Sequence, residues 1–400
     1  MTSPRLIVTG DLMRPGIGGN PRGQTGNIAW LHALLSPVLR EATGIAPELL
    51  VNASPRLGYR ETWELAGTAP SDAAWAGLFT QPPPALAARW SEAFADAVVI
   101  GFELPPSMCH AIVAGGGRWI DCAIHPVRFM DDIFLGMRAS DPEIDAAIAD
   151  AALPERRAFR MAGAIAAFAS RRSRTTPDTP GYTLYTAQMG VDRSMIENGR
   201  LLDAAALAPR ISEALSGTAR LLYKDHPYES TKAIFSAVQA SALEVQRTGR
   251  NIYELLGDPA LEEVVCVSSG TGTEARYFGK RARFIIGPST PVLWQGDPPG
   301  VGHWSVYDAF LAPDFWRRAL VPALPVTAED GDAPAHRPDL LRLTLRSFWG
   351  YKDFLRDPWE AEFVARSPLR GALRRKAIQA LTWAAPARRL AAALKRGQGR

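Results

Sequence analysis

Two hydrophobic patterns alternate along the chain. Short apolar, β-branched runs bounded by turn residues occur at Arg5–Gly10 (RLIVTG), Ala97–Gly101 (AVVIG) and Gly117–Ala123 (GRWIDCA). They recur at Tyr182–Ala187 (YTLYTA), Leu221–Lys224, Glu263–Val267 and Ala282–Gly287 (ARFIIG). Continuous rather than alternating apolar runs of this length predict parallel strands buried on both faces. Glu48–Asn52 is a shorter strand candidate. Between the runs lie stretches at helical spacing. Asn27–Thr43 sets Ile28, Leu31, Leu34, Leu35 and Leu39 on one face, with Pro37 inside. Glu61–Leu65, Asp72–Leu78, Pro84–Asp96, Ser107–Ala114, Asp141–Ala169, Leu202–Ser216 and Ser230–Val245 also read as helices or helix-rich. Strand and helix in alternation predict an α/β fold.

The pattern breaks at Ser170–Pro180 (SRRSRTTPDTP), which is charged, polar and proline-containing, as an interdomain linker is. A length of 400 residues exceeds what one core serves. The expected organisation is an N-terminal α/β domain over 1–175 and a second over 181–325. After the loop Ala328–Pro338, a return segment over 339–365 and a tail over 366–400 follow. Charge sharpens the last boundary: from Arg366 onward there are ten Lys/Arg and no acid, leaving 35 basic and 41 acidic residues elsewhere. The body therefore lacks the basic character of a nucleic-acid binder. No run of eighteen apolar residues marks a membrane span, and the apolar start is too short for a signal peptide. Cys109, Cys122 and Cys266 have no metal spacing and cannot all pair, which fits a reducing cytoplasm. The six histidines form no HExxH-like pattern, so no metal is expected.

Chemistry concentrates between Leu221 and Lys280. Lys224 ends one strand run and is followed by Asp225, His226 and Pro227. The run Glu263–Val267 ends in Ser268-Ser269-Gly270-Thr271-Gly272, and a helix begins behind it. Strand, small-residue loop and helix N-terminus hold an anion, because free N–H groups and the helix dipole converge there. His226 faces the same crevice from the neighbouring strand end. The other reading is a turn with an N-cap and a histidine that starts a turn. Glu103 lies just past a strand end, at a ligand crevice or as a capping charge for the next helix. His125, Arg128, Asp131 and Asp132 follow another strand; they suit an anionic acceptor or donor sugar, or a structural ion-pair network. Arg14 belongs to a Gly/Pro/Arg loop after the first strand, a ligand-contact region or a solvated linker.

The HP pair followed by V-S-S-x-T-G-x-E-A-x-x-x-G-K resembles the C-terminal domain of bacterial glycosyltransferases that use CMP-activated sugars. It is most similar to the capsule and O-antigen group that includes the retaining β-Kdo transferases. Thr186–Ser194, with Gln188 and Asp192, resembles that group's Q-x-x-x-D-x-S segment, and Trp304–Asp308 with Leu311–Trp316 resembles its following segment. The resemblance implies two Rossmann-like domains facing a cleft, a GT-B-like fold, with 339–365 packing back on the first domain. It implies that His226, Ser268 and Ser269 hold the CMP phosphate, and that Glu274 bonds the ribose; the loop Gly270-Thr271 behind them and the Lys224 charge fit the same donor site. Asp192 would be the nucleophile and Glu103 the base for the acceptor hydroxyl. Gln188, His125 and Arg128 would contact acceptor or sugar. Asp192 as an N-cap for Arg193–Asn198 is the competing reading, and Val191 stands where the group can carry a second acid. The donor is expected to be CMP-Kdo, with no cofactor and, lacking a DxD motif, no metal. The expected acceptor is a glycan or glycolipid of surface polysaccharide assembly. An inverting transferase for another CMP- or UDP-sugar, or a non-catalytic scaffold, are the alternatives. Leu369–Arg396 mixes Leu and Trp with Arg and Lys at helical spacing, as an interfacial helix on an anionic leaflet does, or as a solvated basic end. The first reading places the protein in the cytoplasm, peripheral on the inner face of the membrane.

Overall fold

The computed structural model describes residues 4–15, 24–172, 179–226, 232–242, 244–294, 296–298, 301–328 and 339–346. The return segment beyond 346 and the basic tail lie outside them. The first sheet begins with β1 (Arg5–Gly10), β2 (Glu48–Leu49), β3 (Ala97–Phe102), β4 (Arg118–Ile124) and β5 (Leu135–Ala139). β2, β1, β3 and β4 pair in that order and all in parallel, and β5 then pairs antiparallel to β4. β3 is buried at every position, as a Val/Ile run covered on both faces must be. The helix Thr25–Thr43 packs Ile28, Leu31, Leu35 and Leu39 into this core and stops at Gly44. Gly44 takes φ of 71° and donates its N–H to the Arg40 carbonyl. Pro142–Asp150 starts on Asp141, whose carboxylate accepts the N–H groups of Glu143 and Ile144.

The second sheet follows with β6 (Tyr182–Thr186), β9 (Arg220–Lys224), β10 (Glu244–Arg247), β11 (Leu261–Cys266) and β12 (Arg281–Phe284), while β7 (Ile196–Glu197) and β8 (Arg200–Leu201) form a hairpin of their own. Its order is β10-β9-β6-β11-β12, parallel throughout. A separate core of Tyr185, Leu207, Ile211, Leu215, Leu221, Tyr223 and Val265 fills the space under the helix Ala204–Leu215. The chain is therefore α/β with two largely parallel sheets.

Several expectations change. β13 (Val292–Leu293) and β14 (His303–Val306) belong to the first sheet, where β14 pairs antiparallel to β5. The sequence reading grouped them with 181–325. Ser230–Val245 is not one helix: Lys232–Gln239 is helical and Glu244–Arg247 is the edge strand β10. Arg193–Asn198 is a three-residue 3-10 turn running into the hairpin, not a helix. Asn198 and Gly199 turn that hairpin with φ of 50° and 74°, the all-positive geometry that matches strand twist. At its described residues the return segment packs on the first half. Leu341 and Arg342 donate their N–H groups to Asp132, and Trp30 donates to Thr344. Among the described residues no helix is long and apolar enough to cross a membrane. All three cysteines are free and buried.

Candidate active site

Both sheets reverse their winding at an interior strand. In the first, the chain leaves β1 for β2 on one side and returns to β3 on the other; in the second, it leaves β6 for β9 and β10 and returns to β11. Loops diverge at such a point and leave a crevice at the carboxyl ends of the strands. A cavity of about 490 Å³ occupies that position, with walls from both sheets' loops. Glu103, Arg128, Gln188, Asp192, Lys224, His226, Ser268, Ser269, Gly270, Thr271 and Glu274 all line it. Of the site residues expected from sequence, His125 is absent from the lining.

On the β11 side, Ser269 caps the helix Gly270–Tyr277, its Oγ accepting the Thr271 N–H at 3.3 Å. Gly272 is required by packing: a Cβ there would lie 2.6 Å from the Phe284 ring. Ser268 is differently occupied. Its N–H donates to Gln188 Oε1 at 2.8 Å and its Oγ donates to the Ser194 carbonyl at 2.7 Å. Gln188 Nε2 donates back to Ser268 Oγ at 2.8 Å. Ser268 and Gln188 therefore stitch together the loops after β6 and β11. Their hydrogen-bonding capacity goes mostly to each other, so phosphate or sugar contact is not their principal part. Lys224 donates to the Arg250 carbonyl at 2.7 Å, and burial lowers its pKa.

Two carboxylates stand in the cavity wall. Asp192 Oδ1 accepts the Ser194 N–H at 3.0 Å, so it does cap the 3-10 turn. Its Oδ2 accepts from Arg14, 3.3 Å away, which belongs to the loop after β1. Burial alone would raise its pKa, but Arg14, the Ser194 donors and Arg193 prevail and lower it. Glu103 stands after β3 with φ of 54°, in the left-handed region a side chain enters only at a cost of order 1–3 kcal/mol. It pairs with Arg193 Nε at 3.4 Å. Here burial prevails over Arg193, the Asp192 charge adds to it, and the pKa is raised. Neighbouring carboxyls pushed in opposite directions are how one site holds two protonation roles. Arg193, which also donates to Thr290 Oγ1 at 3.0 Å, received no role from the sequence reading, although it adjoins Asp192 in the chain.

Glu274 is buried, and its Oε1 accepts both the Arg128 N–H at 2.7 Å and the Tyr253 hydroxyl at 3.0 Å. Burial lifts its pKa to about 7 against the pull of those donors. It joins the loop after β4 to the helix after β11, a role its sequence position did not announce. That loop is pinned again where the fully buried Arg342 donates to the carbonyls of Arg128 and Met130.

His125 is a correction. It is 0% exposed; its Nδ1 accepts the Val127 N–H at 3.1 Å, and Nε2 lies 2.9 Å from Ser305 Oγ. Its ring stacks on Phe134 at 4.1 Å. Burial holds its pKa well below the usual imidazole range. It is a structural residue of the first sheet rather than a sugar ligand.

No protein-family model matches this sequence. No curated protein matches it either. Among solved structures, Thermosulfurimonas dismutans KpsC, a β-Kdo 2,7 transferase, is similar at 12% identity with a TM-score of 0.30. The match covers 46% of this chain and 64% of that one, so this chain spans less than two thirds of that protein's length.

Proposed function

We propose that the protein is a glycosyltransferase that moves a sugar from CMP-Kdo, with retention, onto a growing surface glycan or glycolipid. The observation that carries the reading is the pair of oppositely shifted carboxyls, Asp192 and Glu103, in one cavity wall beside the Ser269-capped helix start and His226. Gln188, Asp192, His226, Ser268, Ser269 and Glu274, which belong to the segments of the sequence resemblance, line the same cavity from separate loops, which supports the reading. Two Rossmann-like domains of GT-B type, meeting at that cavity, are the fold it assumes.

In this reading Asp192, held ionised, attacks the anomeric carbon as the bond from that carbon to the phosphate oxygen breaks. The electron pair leaves with CMP. His226, Lys224 and the helix N-terminus meet the phosphate charge, and no resident metal or cofactor is needed. The acceptor hydroxyl then attacks the same carbon, gives its proton to Glu103 and frees Asp192, as two carboxylates divide the work in retaining glycosidases. Glu274 has its Oε1 engaged by the protein, and its Oε2 is the oxygen available to a ribose hydroxyl. The tail 366–400 would hold the enzyme on an anionic membrane surface, near a lipid-borne acceptor.

The test is twofold. CMP, and not UDP or GDP, raises the melting temperature, because a ligand that binds the native state stabilises it. CMP-Kdo without acceptor leaves one sugar on Asp192 by mass spectrometry. The cap made by Asp192 Oδ1 favours a second reading, an inverting enzyme with Glu103 as base. A product of inverted anomeric configuration with Asp192 unlabelled selects it.

A further inference from the structure

The residues after β1 form a buried, closely hydrogen-bonded turn. Asp11 is 3% exposed, and its Oδ1 accepts the N–H groups of Met13 and Arg14 at 2.9 and 3.1 Å. Its Oδ2 accepts the indole N–H of Trp75 at 2.8 Å. Trp75, fully buried on the helix Asp72–Thr80, also lies under the Arg14 guanidinium, 5.2 Å from ring centroid to Cζ. From a third side, Asn52 Nδ2 donates to the Leu12 carbonyl at 2.8 Å. An arginine on an ordinary surface has many rotamers, whereas this one has its backbone N–H held by the Asp11 carboxylate and its guanidinium laid over the Trp75 ring. What it reaches is Asp192 Oδ2, on a loop of the other sheet.

We propose that Arg14, seated by Asp11 and Trp75, is a positioning residue that fixes and charges the Asp192 carboxylate for attack; the inference rests on Asp192 being the nucleophile. Among the described residues, the charged and polar groups that act on Asp192 are these. Arg14 comes from the first sheet, Arg193 and Ser194 from its own loop, and Glu103 from the end of β3. With Oδ1 held by Ser194 and Oδ2 by Arg14, the carboxylate cannot rotate, and each oxygen keeps a lone pair. Arg193 cannot replace Arg14, because it is committed to Glu103 and Thr290. Without Arg14 the burial of Asp192 is opposed less, its protonated fraction rises, and a protonated carboxyl is a poor nucleophile.

The test measures the rate at which CMP-Kdo alone labels Asp192, in the full chain, between about pH 5 and pH 8. This half-reaction precedes any proton transfer to Glu103. Glu274, with its pKa of about 7, and the rest of the cavity lining are common to wild type and variant, so the readout is the ratio of the two rates at each pH. Arg14→Gln is slower by about tenfold or more at the acid end and recovers toward the alkaline end. Arg14→Lys keeps most of the rate, and Trp75→Phe, which removes the indole donor to Asp11 and shrinks the ring under the Arg14 guanidinium, falls between. The melting shift produced by CMP stays the same in all four proteins. Arg14→Gln with the wild-type rate and pH profile overturns the inference, as does a loss equal at every pH and accompanied by loss of CMP binding. A wild-type protein that binds CMP but is never labelled removes the nucleophile reading and this inference together, an outcome distinct from the other two.

Discussion

The loop after β4 and the loop after β6 begin alike and end differently. Each leaves a central strand at its carboxyl end and carries polar and charged groups within a few residues: His125, Arg128 and Asp132 in one, Gln188, Asp192 and Arg193 in the other. In the first, His125 and Asp132 face inward, while Arg128 lines the cavity. His125 is closed off by Val127, Ser305 and Phe134, and Asp132 by the N–H groups of Leu341 and Arg342. In the second, Asp192 and Arg193 are paired but stand in a cavity wall, and their partners come from other loops that meet at the same spot. The β4 loop spends His125 and Asp132 on joining elements and leaves Arg128 at the cavity; the β6 loop keeps both Asp192 and Arg193 where a ligand can take them over. A buried polar group with every partner supplied by the protein supports the fold, and the same residue type beside a cavity can do chemistry.

The largest effect that would sharpen this contrast is expected for Asp192→Asn. Asn caps as well as Asp, so the melting temperature stays close to wild type, while the transfer rate falls on the order of 10³-fold or more. Retained turnover would erase the distinction on the β6 side. His125→Ala should behave in the opposite way. It opens a cavity and strands Ser305 and the Val127 N–H, costing about 3 kcal/mol in denaturant unfolding, with unchanged turnover per folded molecule. Loss of activity without loss of stability would put His125 back among the ligand contacts.

Glu274 sits between the two regions and gives a pH signature. Its folded pKa of about 7 stands above the ordinary 4.5, so the native state binds the extra proton and stability declines as pH rises across that window. Glu274→Gln keeps an oxygen for Arg128 and Tyr253 and should flatten the decline, a difference on the order of 2 kcal/mol above pH 7. Parallel stability curves for the two proteins would show that the carboxyl is not held protonated. The smallest effect is expected for Ser269→Ala, about 1 kcal/mol from the lost cap, with CMP binding weakened only a few-fold because the helix N–H groups remain. A complete loss of CMP binding would mean that the hydroxyl itself grips the nucleotide.

How much of this was legible in the chain depended on where each signal lived. β1 and β3 are legible because both faces are covered and the apolar runs are continuous, and β6 and β11 through their buried stretches Leu184–Thr186 and Val264–Cys266. β10 was read as helix because EVQR is an edge strand with mostly exposed side chains and carries no apolar pattern. The Asn198-Gly199 pair is a hairpin signal, but its flanking strands of two residues each leave no alternating pattern to frame it. Asp192, Glu103, His226 and Ser269 were brought to one cavity from distant positions by a rule that sequence order supports: ligands gather at carboxyl ends of strands. The choice of partner was not legible. Nothing local says that Ser268 will be consumed by Gln188, that Arg14 will cross to Asp192, or that His125 will be walled in.

The pairing of β14 with β5 has a consequence for how the chain is made. β14 is buried along its whole length and completes a sheet whose other central strands come from the first 139 residues. At 5–20 residues per second, synthesis of the stretch from Ala139 to His303 takes on the order of ten seconds. Throughout that interval the nascent first sheet ends at β5, with a row of unclaimed N–H and C=O groups, the surface on which neighbouring chains join edge to edge. A polypeptide stopped after Arg172 keeps that open edge permanently. The first half is thus sticky when expressed alone, and the second half acts as the cover that its partner waits for.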